Sequence, residues 1–120
     1  MLSSLVTAAG AVAQIGVTRN VLLQEELDVP GYQTLLVEVT IAVGGREGKH
    51  RHAGTLIGRV IQGQLALELE GLPTEHYGPG DSLIIRPGQI HEGVNEGDEP
   101  VVALATFIVP TDQPLTTQID

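Results

Sequence analysis

The sequence predicts an all-β fold, an antiparallel barrel or sandwich, and three observations carry that expectation. From Arg19 onward, short apolar runs recur between glycine- and proline-marked turns spaced 8 to 12 residues apart. Several of these runs alternate apolar and polar residues with the period of two that a half-buried strand requires. No segment carries a helical stripe of useful length, and neither an internal repeat nor a linker divides the 120 residues. A chain of this length supports one domain around one core.

The elements follow in order. Val21, Leu22 and Leu23 lead into a Pro30-Gly31 turn. Tyr32 to Val43 then sets Leu35, Val37, Val39, Ile41 and Val43 on one face and Glu38 and Thr40 on the other. Gly44, Gly45 and Gly48 mark a loop. Leu56 to Gln62 reads as a strand and Gly63 as a tight turn, before a strand from Gln64 to Glu70 with Leu65, Leu67 and Leu69 on one face. Gly71 to Gly80, which holds Pro73 and Pro79, reads as a connection, and Ser82 to Ile85 is strand again. Pro87-Gly88 makes a turn, Ile90 to Asn95 a short strand, and Gly97 to Pro100 another turn. The β-branched content of Val101 to Val109 favours strand over helix, and Pro110 and Pro114 open an irregular tail. The expected organisation is an uncharged apolar arm over 1–18, a barrel over 19–110 and a tail over 111–120.

Composition narrows the function classes. Six Lys and Arg against fifteen Asp and Glu give a formal charge of −9, which opposes nucleic-acid binding through phosphates and a polybasic membrane contact. Without cysteine there is no disulfide, zinc-thiolate site, Fe–S cluster or thiol catalysis. Tyr32, Tyr77 and Phe107 are the only aromatic residues, so base-stacking surfaces and aromatic cages have almost nothing to be built from. The core is therefore expected to be aliphatic.

Two readings of the N-terminal stretch stand side by side. Ala11-Val12-Ala13 has the small-x-small pattern of an export-signal cleavage site, but no Lys or Arg precedes it. Ser3, Ser4, Thr7 and Gln14 make the stretch too polar to span a bilayer. The first reading is an arm that packs on the domain or on a partner's sheet, with a cytoplasmic homodimer as the expected state. The second is an exported protein, with residues 1–13 the remnant of a signal.

The chemistry lies in the histidines. The glycines near Lys49 do not match a phosphate-binding loop, because His50 stands where Ser or Thr is needed and the upstream spacing is too short. His50 and His52 are one residue apart, so on a strand their imidazoles leave the same face while Lys49 and Arg51 point the other way. His91 and Asn95 share parity on a second strand. Three imidazoles from two strands are a natural donor set for a divalent metal inside a barrel, although an isolated His-x-His is more often incidental. His76, among Thr74, Glu75 and Tyr77, reads as an exposed loop histidine. Arg46, Lys49, Arg51, Arg59 and Arg86 cluster near these segments, to attract an acidic substrate or simply to pair with surface carboxylates.

From about Val29 to Val109 the spacing resembles that of the cupin superfamily. Gly44 precedes His50-Arg51-His52 by five intervening residues, and Gly63 occupies the closing glycine of the first cupin motif. Gly80, Gly88, His91 and Asn95 match the second motif, with Arg86 at the usual proline and Pro87 displaced by one. The resemblance implies an antiparallel double-stranded β-helix, or jelly-roll barrel, and a pairing tendency. It also implies that His50, His52 and His91 hold one divalent ion, of Fe, Mn, Ni or Zn.

One departure stands out. Leu56 occupies the place of the family's glutamate ligand, and the lost carboxylate weakens the attraction for a cation. Glu92 follows His91 and should face away from it, whereas parity does not exclude Glu38. Three-histidine sites occur within the superfamily, among them thiol dioxygenases. Two function classes therefore remain open. One is a metal-dependent, dioxygenase-like enzyme on a small organic substrate, with Leu56, Asn95 and Arg86 as pocket candidates. The other is a non-enzymatic small-molecule-binding or sensing module with a degenerate, empty site.

Overall fold

The computed structural model describes residues 14–119, so residues 1–13, most of the expected arm, lie outside the described residues. The described chain is all strand and turn: β1 (Ile15–Glu26), β2 (Tyr32–Arg46), β3 (His50–His52), β4 (Thr55–Gln62) and β5 (Leu65–Leu69) come first. They are followed by β6 (Glu75–Tyr77), β7 (Ser82–Ile85), β8 (His91–Val94), β9 (Val101–Pro110) and β10 (Thr116–Gln118). Every pairing among the described residues is antiparallel.

The strands form two halves. One runs β1-β2-β9-β4-β7, and the other runs β6-β5-β8-β3-β10. They join where the long β2 crosses from one half to the other and pairs Arg46 with Val94 of β8. Alternation decides what fills the space between them. Leu35 and Val37 of β2, Leu56 of β4, Ile85 of β7 and Ala105, Phe107 and Val109 of β9 meet Leu67 and Leu69 of β5 and Leu115. A second cluster of Ile41, Val60, Leu65 and Val101 continues the core toward the other end. The result is the aliphatic double-stranded β-helix that the sequence predicts.

Four local features differ from the sequence reading. Val43 is 55% exposed instead of sharing the core face of Leu35 and Ile41. The cause is an irregularity in the β1–β2 ladder, where the register shifts between Ile15↔Arg46 and Val17↔Ile41 and frees the intervening residues of β2 from strict alternation. Strand β1 begins at Ile15, well before the run at Val21. The Gly71–Gly80 connection contains β6, paired with β5, so His76 is exposed as expected but sits on a strand. The tail is not irregular throughout, because β10 pairs with β3 and sets Thr116 opposite His52.

Gly63 shows how tightly the β4–β5 turn is built. Its φ is +81°, and a Cβ there would run into the Pro100 carbonyl and lie 3.0 Å from Val101 Cα. Gly31 has a similar φ of +85° but open space where a Cβ would be. Substituting Ala at either position carries the left-handed backbone cost of about 1–2 kcal/mol. Only Gly63→Ala adds a collision with backbone. Chemical denaturation should therefore find Gly63→Ala clearly less stable than Gly31→Ala; equal losses would show that the turn can open freely.

Candidate metal centre

Strands β3 and β8 pair through a single register, His50↔His91, which sets these two imidazoles side by side. His52 lies two residues along β3 on the same face. All three side chains are buried, with exposures of 2% for His50, 6% for His52 and 2% for His91. One nitrogen from each ring lies within 4.8 Å of the others. The ring centroids are 4.2–5.0 Å apart, and Phe107 stands edge-on to His52 at 4.8 Å.

Each ring is fixed from behind. His50 Nδ1 is 2.7 Å from the Gly48 carbonyl, and His91 Nδ1 is 2.8 Å from the Gln89 carbonyl. His52 Nδ1 is 3.2 Å from the Leu115 carbonyl and 3.1 Å from Thr116 Oγ1. A carbonyl can only accept, so these contacts place the proton on Nδ1 and leave the Nε2 lone pair free. Nε2 is then the nitrogen that each ring has free as a donor. Burial also works against protonation of His91 and His52. Desolvation, with the neighbouring His50 second, lowers His91 from its ordinary 6.5 to about 4, and the Gln89 hydrogen bond only partly opposes this. Desolvation likewise holds His52 well below the ordinary value, helped by His50 and His91. Three clustered imidazoles with anchored Nδ1 and a free second nitrogen are the donor set that a divalent ion requires, so the residues present fit the metal.

The cluster opens into a cavity of about 70 Å³ between the two halves of the barrel. Its walls are chiefly apolar, including Val37, Ile41, Leu56, Leu65, Ile85 and Phe107. Leu56 thus contributes an aliphatic wall beside the imidazoles. The other two pocket candidates lie elsewhere. Arg86 is exposed in the turn after β7 and does not line the cavity. Asn95 is buried, but Nδ2 donates to the Ile41 and Glu99 carbonyls at 2.9 and 2.8 Å, and Oδ1 accepts from the Gly97 amide at 2.9 Å. Those bonds tie the end of β8 to β2 and to the turn before β9.

The carboxylates also separate. Glu38 lies between inward-facing Val37 and Val39 and is not part of the cavity wall. Glu92 turns away from His91, as parity predicts. Its carboxylate accepts from Arg46 Nε at 2.5 Å and from the Gly48 amide at 3.1 Å, and the guanidinium holds it below the usual carboxylate range. Two charged residues that spacing did not single out do reach the cavity. Arg19 of β1 and Glu47, in the β2–β3 connection, both line it and pair at 3.3 Å. Of the cations near the motifs, Arg59 borders the cavity, Arg46 is engaged by Glu92, and Lys49, Arg51 and Arg86 are exposed.

Comparison with known proteins agrees with this architecture. The family model described as "Cupin domain" matches residues 37–107, which include all three histidines. A germin-like protein, subfamily T member 3, of Arabidopsis thaliana is 40% identical over 82 residues, covering 59% of this chain and 35% of that protein. The chain thus spans about a third of that relative's length. A cupin-like protein from Thermotoga maritima superposes with a TM-score of 0.73 at 23% identity, over 86% of this chain and 75% of its own. A polyketide cyclase from Streptomyces resistomycificus gives 0.70 at 23%, over 91% and 77%. An oxalate oxidase bound to the substrate analogue glycolate gives 0.69 at 22%, over 98% and 62%. Likeness at this level shows a shared fold. Together with the matched family model, it shows that the chain belongs to the cupin family.

Proposed function

We propose that this protein is a metal-dependent cupin acting on a small organic molecule, with His50, His52 and His91 holding one divalent cation. The observation that carries the reading is the triple anchoring of Nδ1 on the Gly48, Leu115 and Gln89 carbonyls, which leaves Nε2 of each ring free as a donor in a cluster where one nitrogen from each ring lies within 4.8 Å of the others. A bound cation would supply Lewis acidity to a ligand oxygen and, as Fe(II), the capacity for oxygenase chemistry. The protein's own contribution is to hold the three rings and exclude bulk water. Its apolar wall of Leu56, Ile85 and Phe107 favours a ligand with an apolar body and oxygen donors at one end. The scaffold is shared with an oxalate oxidase and a polyketide cyclase, so it accommodates enzymes, but the chemistry must be argued from the site.

A binding module without catalysis is the second reading, and Leu56 favours it. Where the resemblance implies a carboxylate ligand, the cavity has a side chain that neither coordinates nor moves a proton. Assembly as a homodimer belongs to the same proposal. Ile57 of β4 and Ile84 of β7 face each other across the ladder while 46% and 45% exposed, an apolar pair on the outer face that a second copy would cover. Light scattering at micromolar concentration should give a dimer mass; a monomer would count against assembly.

Metal analysis of protein purified without an affinity tag should find one divalent ion per chain. His52→Ala should abolish stoichiometric binding while circular dichroism stays that of a β protein, because the aliphatic core supplies most of the burial. Leu56→Glu should tighten the metal by about tenfold or more, since it returns a charged oxygen beside the imidazoles. Unchanged affinity in both variants would remove the metal reading and leave the binding module.

The pH dependence of the metal-free protein follows from His91. Its folded pKa of about 4 lies below the ordinary 6.5, so between these values the unfolded chain binds more protons than the folded one. The stabilisation is complete above about pH 6.5 and is lost as the pH falls toward about 4. Thermal unfolding of the metal-free form should therefore show a midpoint that drops through this window. A midpoint flat from pH 7 to 4 would mean that His91 is not held neutral by burial.

A further inference from the structure

We propose that Glu47 is the anionic partner of the cation held by His50, His52 and His91, taking over the charge that the chain lacks at Leu56, with Arg19 opposing it. The inference rests on the metal reading above and adds the residue that tunes the site's charge.

Glu47 reaches the site from a connection, not from either histidine strand, yet it lines the same cavity. Its place there is built. Oε1 accepts the Gly93 amide at 2.8 Å and Oε2 accepts Arg19 Nη2 at 3.3 Å, and the side chain is 13% exposed. Gly93 is two residues beyond His91 on β8, so both face the barrel interior. A Cβ at 93 would lie 2.7 Å from Glu47 Oε1, so a side chain there would have to displace the carboxylate. The carboxylate therefore occupies the space a side chain would take beside His91. Glu47 is not part of the trio gathered within 4.8 Å, so it acts through space or through water and not as a fourth ligand.

The electrostatics point the same way. The carboxylate of Glu47 and the guanidinium of Arg19 both border the cavity that the three rings line, so each acts with its own sign on charge placed there. A divalent ion among these rings feels both effects at twice the charge, across an apolar cavity where screening is weak. Glu47 should strengthen cation binding and Arg19 should weaken it. An ion pair that only braced β1 against the β2–β3 connection would behave otherwise, because removing either partner would loosen the site in the same sense.

The test is zinc(II) affinity of the full chain, by competition with a chromophoric chelator, with thermal unfolding to confirm that each variant folds. Glu47→Gln keeps an oxygen for the Gly93 amide and removes only the charge; it should weaken zinc by about tenfold or more. Arg19→Met should tighten zinc severalfold. Opposite signs support the proposal, whereas affinity within twofold of wild type for Glu47→Gln, or weakening in both variants, overturns it. If Glu47→Gln does not fold, Arg19→Met decides alone: tightening supports the proposal, and weakening or no change overturns it. If the wild-type chain itself takes up no zinc, manganese(II) or iron(II), the metal reading fails and this inference falls with it.

Discussion

Three imidazoles buried side by side impose the condition around which this barrel is organised. Burial works against charge on His52 and His91, because a second positive charge at centroid separations of 4.2–5.0 Å would have little solvent to screen it. Each of the three must also place its Nδ1 proton on an acceptor, because an unsatisfied buried N–H costs about 1–3 kcal/mol. The three acceptors come from separate segments: Gly48 before β3, Gln89 before β8, and Leu115 before β10. The cluster thus depends on chain closure at three places, each at the start of a strand of only three or four residues.

The outer side of the same strands is braced independently. Glu92 follows His91 and faces the other way, where it holds Arg46 of β2 and the Gly48 amide. Gly48 is therefore fixed twice, through its amide by Glu92 and through its carbonyl by His50. Asn95 closes the far end of β8 onto β2 and the turn before β9. Between these two points β8 has little freedom to slide, and a one-residue slip would send His91 to the wrong face. Residues that resemble site components by spacing thus act on the scaffold that aims them.

How much was legible in the sequence depended on whether the signal was local. The alternation of Leu35, Val37 and Ile41, the parity of His50 and His52, and the motif spacing to His91 are all local, and the structure brings these residues together as read. Strand β10 was not legible, because three polar residues after Pro114 carry no pattern and form a strand only through pairing with β3. Val43 misled for a related reason: the irregularity that breaks its alternation belongs to the β1–β2 ladder and not to β2 alone. Arg19 and Glu47 lie 28 positions apart and share no motif, so only the pairing of β1 with β2 and the folding back of the β2–β3 connection bring them to one cavity. Gly93 was the one available hint, since glycine on the histidine face of β8 signals that something occupies the space of its side chain.

The substitution at Leu56 has consequences beyond the loss of a ligand. A carboxylate there would bring its own water and partly neutralise a dication; Leu56 brings neither and extends the apolar wall formed with Ile85 and Phe107. Lower polarity strengthens every remaining charge effect in the cavity. Three donors without negative charge would leave the full double charge of a cation to be met by what lies around it. Glu47 is the carboxylate bordering that space among the described residues, and Arg19 already draws on part of its charge. Such a site has more use for an anionic oxygen donor on its ligand than a site with its own carboxylate ligand would, and the apolar wall would accommodate the remainder of that ligand.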